Sequence, residues 1–167
     1  HQESYLYRLP FSLGAVVKVS QGYHGDTSHK GLSAYAVDFP VPVGTPVYAA
    51  REGIVVGSEG SSSVGGASAE YRQYANYIII EHSDGTMGNY YHLKQGGNAV
   101  AIGSKEAKGE LIGYSGNTGY SSGPHLHFSV SKVDPVSMRR PMNLPIKMDT
   151  AEGIVSLPRK GDRYTVQ

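Results

Sequence analysis

Apolar residues in this chain fall in short runs of five to eight positions, bounded by glycine, proline and small polar residues. YAVDFPV (35–41), VYAAR (47–51), IVVGS (54–58), NYIIIEH (76–82), MGNYYHL (87–93), AVAIGS (99–104), ELIGYS (110–115) and HLHFSVSK (125–132) all read this way. A period of two puts alternate side chains on opposite faces of a strand. No stretch of ten residues keeps a 3.6-residue period, although DPVSMRRPMN (134–143) has room for a helical turn. SDGT between NYIIIEH and MGNYYHL is a hairpin signal. The pattern predicts a mainly β domain with antiparallel pairing and long surface loops. GAVVKVSQG supplies a first strand within an otherwise irregular opening, and GIVSLPRKGDRYTVQ either adds a last strand or lies across the surface. GSEGSSSVGGASAE (57–70) is almost free of bulky side chains and reads as a mobile surface loop.

Composition narrows the possible functions. A chain of 167 residues is long enough for one domain with a real core. Fifteen basic and fourteen acidic side chains leave a formal charge of +1, so nothing marks a nucleic-acid or anionic-lipid partner. The absence of cysteine excludes disulfides, a thiolate nucleophile and a sulfur-ligated metal. No apolar run is long enough to span a membrane, and HQESYLYRLP is not a signal peptide, so any export signal is expected to lie outside this sequence.

The candidate chemistry lies in the histidines. In HLHFSV, alternation sends His125, His127 and Ser129 to one face and Leu126, Phe128 and Val130 to the other. The apolar face anchors the strand and holds two imidazoles side by side opposite it, behind a Pro124 that restrains the strand entrance. By the same count Tyr90 and His92 of NYYHL share a face. Asp38 sits among Ala36, Val37 and Phe39, where an unpaired carboxylate is costly to bury and a cation would remove the difficulty. Histidine nitrogens with one carboxylate are the donor set of a catalytic zinc site with an open water position. His82, beside the turn, reads as an exposed hairpin histidine.

His29 and Asp38, followed by GTPVYAAREGIV, YYHL and GYSGNTGYSSGPHLHF in that order, resemble the M23 peptidases, the lysostaphin and LytM-like zinc metallopeptidases of peptidoglycan. The likeness runs from about residue 21 to 130. Eight residues separate His29 from Asp38, where the family's usual motif has three, and this leaves His24 of QGYHGD as a rival to His29. The resemblance implies a single antiparallel β domain of the M23 type at 21–150, with an N-terminal extension at 1–20 packing on it and a tail at 151–167. It implies one Zn2+ held by His29, Asp38 and His127, with His92 and His125 as the catalytic imidazoles. It further implies a peptidoglycan peptide as substrate, in an extracytoplasmic setting. A non-catalytic relative that binds cell wall or activates a hydrolase is the alternative, but such relatives typically lack ligands and none is missing here. GTPVYAAREGIV also reads like a biotinyl or lipoyl carrier strand, yet no lysine sits at a hairpin tip.

Overall fold

The structure, a computed structural model, describes residues 4–133 and 141–167. The helical turn expected at 134–143 falls mostly outside the described residues. Among the described residues the chain forms sixteen strands and two short 3-10 helices (Gly31–Ser33 and Ala69–Tyr74), joined by turns and loops. The chain enters through β1 (Leu6–Arg8) and β2 (Val16–Lys18) before β3 (Val37–Phe39), β4 (Pro46–Tyr48), β5 (Gly53–Glu59) and the short β6 (Gly65–Gly66). Then follow β7 (Asn76–Glu81), β8 (Met87–Asn98), β9 (Lys105–Glu106), β10 (Leu111–Ser115), β11 (Gly119–Tyr120) and β12 (Leu126–Lys132). Beyond the undescribed stretch lie β13 (Met142–Asn143), β14 (Lys147–Thr150), β15 (Gly153–Val155) and β16 (Arg163–Thr165).

The main sheet is antiparallel, in the order β13-β12-β8-β7-β5-β9, with β3 on the outer edge of β12, β10 on β8 and β4 on β10. Alternation builds its core: Ile78 and Ile80 of β7 and Leu126, Phe128 and Val130 of β12 are buried together with Phe39, Val55 and Leu93. Each such side chain contributes roughly 1.5–3 kcal/mol on leaving water. The first and last segments join the same core. Tyr7, Leu9, Phe11, Val17 and Val19 pack into it from one end of the chain, and Tyr164 and Val166 from the other. β1 pairs in parallel with β14, which also takes β15 on its other side, and β2 pairs with β16, so the tail forms two strands, β15 and β16, rather than lying loose. AVAIGS is not a strand; it turns through Gly103 (φ +89°) to deliver β9.

Residues 57–70 are more ordered than their composition suggests. They finish β5, and Gly65–Gly66 then pairs in parallel with Gly119–Tyr120. A Cβ on Gly65 would lie 2.1 Å from the Asn117 carbonyl oxygen, so the small residues permit two backbones to touch.

The hairpin at SDGT forms as expected, with Gly85 at φ +75°, but His82 is buried, not exposed. Its Nδ1 donates to the Glu52 carbonyl at 2.8 Å, and Tyr7 covers the ring edge-on. Beside it the buried Arg51 reaches Tyr7 Oη and Asp84, with Tyr5 stacked on its guanidinium. The cover comes from residues 5–7, which no local pattern could place there. Burial, with help from Arg51, holds the His82 pKa below its ordinary value. The unfolded chain therefore binds the extra proton first. Stability from this group is complete above the unfolded pKa of about 6.5 and falls as pH drops towards the folded value. In thermal melts between pH 7.5 and 5, wild type should lose stability more steeply than His82→Asn, by up to about 1.4 kcal/mol per pH unit. Parallel curves would show that folding does not lower the His82 pKa.

Candidate metal centre

The cluster is assembled by strand register. In the β3–β12 pair Asp38 lies directly opposite His127, with Phe39 opposite Leu126 and Val37 opposite Phe128 on the core side. The expected alternation of HLHFSV therefore holds, and it sets a carboxylate beside an imidazole across a ladder. His127 Nδ1 is 2.8 Å from Asp38 Oδ1, and His125 Nε2 is 3.8 Å from the same oxygen.

His92 reaches this face differently from expectation. Tyr90 does not share its face: it is fully buried against Phe128, and its hydroxyl accepts from the Ala50 N–H at 2.8 Å. Across β7 and β8, Leu93 pairs with Asn76 while Tyr91 pairs with Tyr77, so His92 is the extra residue of a β-bulge. Its φ of +68°, rare for a residue with a side chain, turns it to the side of Tyr91 and His127. Its ring stands 4.5 Å from that of His125, centroid to centroid. A regular strand would have placed His92 in the core.

His29 comes from the loop between β2 and β3 and is completely buried. Its Nδ1 lies 2.8 Å from the Gly22 carbonyl oxygen, which can only accept, so that nitrogen carries the proton. Gly22 is itself pressed on the tail, since a Cβ there would sit 2.0 Å from the Pro158 carbonyl oxygen. His24, the rival, is exposed, lies against Tyr35 and is not among the clustered donors.

Sequence reasoning overlooked the groups that hold these side chains. Gln21 donates from Nε2 to Asp38 Oδ2 at 2.8 Å, while its Oε1 accepts from the N–H groups of Thr27 and Ser28 and so shapes the turn before His29. Thr118 offers its carbonyl to His92 Nδ1 at 2.6 Å, and Gly123 offers its own to His125 Nδ1 at 2.8 Å, with Ser121 Oγ nearby at 3.0 Å. The loop of glycines and serines before HLH is thus what orients both rings. Gly119, at φ +80° and tight against Ala75, is the one position in it that a left-handed backbone reserves for glycine.

The donor set fits a divalent cation. Nδ1 of His29 is protonated, so its Nε2 presents a lone pair, buried and without a hydrogen-bond partner, to Asp38 Oδ2 at 3.2 Å. A lone pair facing a carboxylate oxygen is repulsive unless a positive charge lies between them. The donor atoms of His29, Asp38 and His127 all lie within 4.8 Å of one another. Backbone carbonyls fixing the far nitrogen of an imidazole are the usual support of a metal-binding histidine. Burial, reinforced by His125 and His127, lowers His92 to about 3, so this ring is neutral.

Comparison with known proteins points the same way. The sequence profile described as peptidase family M23 matches residues 32–143, which takes in Asp38, His92, His125 and His127 but begins after His29. Peptidoglycan DD-endopeptidase ShyA of Vibrio cholerae is 37% identical over 110 residues, covering 65% of this chain and 23% of the relative. Glycyl-glycine endopeptidase ALE-1 of Staphylococcus capitis is 39% identical over 99 residues, covering 59% and 24%. The crystal structure of a zinc-containing peptidase from Vibrio cholerae superposes with a TM-score of 0.59 at 27% identity, covering 84% of this chain and 39% of that one. This chain spans only about a quarter of the length of these curated relatives.

Proposed function

The chain belongs to peptidase family M23, and on that premise we propose that it is a zinc-dependent endopeptidase cutting peptide bonds in peptidoglycan stem peptides or cross-links, outside the cytoplasm. The observation that carries the reading is the orphaned, buried Nε2 of His29 facing Asp38 beside two further oriented imidazoles. His29 through Nε2, Asp38 through its carboxylate and His127 through Nδ1 would hold the ion. When bound, zinc supplies Lewis acidity that polarises a carbonyl and acidifies water to near neutral pKa.

The remaining work falls to the chain. His92 and His125 each spend Nδ1–H on a backbone carbonyl, which leaves Nε2 free on the cluster side. A neutral imidazole there accepts a proton from the attacking water, and a protonated one donates to the developing oxyanion or the departing amine. The two rings, 4.5 Å apart, are close enough to divide these tasks within one turnover. Tyr91 and Tyr120 line the walls beside them and offer flat, rigid surfaces for an extended peptide.

Intact sacculi treated with the zinc-loaded chain should release new amino termini at a rate that chelator abolishes and added zinc restores. A preparation that binds one zinc yet releases no termini would favour the alternative, a non-catalytic wall-binding or hydrolase-activating protein.

A further inference from the structure

Two clefts meet at the metal-ligand cluster, and they differ in charge. One, of about 420 Å3, is walled by hydroxyl and amide side chains including Gln21, Thr27, Ser121 and Ser122, with no lysine or arginine among the described residues that line it. The other, of about 590 Å3, runs over Asn89 and Tyr91 of β8 and Ser129 and Ser131 of β12. Ser28, His92, Tyr120 and His127 line both, so a peptide lying in one continues through the site into the other.

The larger cleft carries Lys30 and Arg72 and no acidic residue among those that line it. Both side chains are exposed, and neither joins an ion pair among the described residues. Arg72 projects from the 3-10 helix Ala69–Tyr74, its guanidinium 5.5 Å over the ring of Tyr120, which fixes it beside the path of the peptide. Glu70, the nearest acid in sequence, accepts instead from Ser68 Oγ. Lys30 comes from the long segment between His29 and Asp38, so the extra length in that segment brings a cation to the groove. Two cations without an ion pair, in a cleft with no acid among the described residues that line it, focus a positive potential along it.

We infer that the larger cleft selects peptides bearing free carboxylates, with Arg72 and Lys30 as the specificity-determining residues. This rests on reading the site as that of a peptidoglycan peptidase, and it names the substrate class: stem peptides with acidic side chains or a free terminal carboxylate, rather than neutral glycine bridges. Guanidinium and ammonium groups recognise carboxylates through charge-assisted hydrogen bonds, which a carboxamide or a glycine run cannot return.

The test uses synthetic stem-peptide dimers identical except that carboxylates are replaced by carboxamides, together with pentaglycine. Wild type loaded with zinc should cut the carboxylate form with a kcat/KM roughly tenfold above the carboxamide form, the scale of one or two charged hydrogen bonds at a solvated rim. The preference should shrink between about 0.05 and about 0.5 M salt as screening tightens. Arg72→Gln with Lys30→Gln should cut both forms at the wild-type carboxamide rate. Equal rates in wild type, or a preference that survives in the double variant, would overturn the inference. Calorimetric binding of the same peptides N-methylated at the scissile amide separates this inference from the parent reading. If nothing is cut but the carboxylate analogue still binds more tightly, charge selection stands and the peptidase reading falls. Equal or absent binding of both analogues removes charge selection, whatever is cleaved.

Discussion

His127→Ala should lose metal and activity together, whereas His92→Ala should retain the metal and lose turnover. The expectation follows from where the two rings stand. His127 offers Nδ1 within 2.8 Å of Asp38 in the three-donor cluster, while His92 is tied by Nδ1 to Thr118 and is absent from that cluster. Removing a residue that merely supports a ligand lowers metal affinity by about 10–100-fold, and deleting a ligand outright should cost more. Loss of a general acid or base lowers kcat by about 10²–10⁴-fold with metal content unchanged. Metal analysis and turnover on one preparation of each variant decide the matter. If His92→Ala comes out metal-free, His92 belongs among the ligands and the division of roles drawn here is wrong.

The second large effect is on stability. A cation that binds only the folded chain at a free concentration about 1,000 times its dissociation constant adds about 4 kcal/mol. For a chain of this size, each kcal/mol moves the midpoint by roughly 2–4 °C. Zinc should therefore raise the melting temperature of the chelated protein by about 8–16 °C. The same addition should leave His29→Ala and Asp38→Ala unmoved. The shift has a structural source: without a cation the buried His29 Nε2 stays unpartnered against an anionic oxygen. A similar shift in both variants would mean that the metal binds elsewhere.

The distance between what could and could not be read in the sequence is clearest at four histidines. The faces of His125 and His127 were legible because β12 is regular, and Leu126, Phe128 and Val130 have only one core to enter. His92 was misjudged relative to Tyr90 because a single extra residue in β8 resets alternation, and nothing in NYYHL announces a bulge. His82 was misjudged because its cover arrives from Tyr7, seventy-five positions earlier in the chain. Gln21, Thr118 and Ser121 escaped notice for a related reason. Their roles are hydrogen bonds to partners chosen by the fold, and glutamine, threonine and serine are ordinary loop residues.

By itself the sequence determined the strand class, the apolar face of each regular strand and, through an ordered set of motifs, the family. These depend on a period of two and on residue identity, both of which are local. Tertiary structure alone decided that Asp38 lies across a ladder from His127, that a bulge swings His92 to their side, and that the Gly22 carbonyl fixes the proton of His29. Register, left-handed backbone and second-layer hydrogen bonds all depend on which distant strand arrives alongside, and that is settled only when the whole core closes.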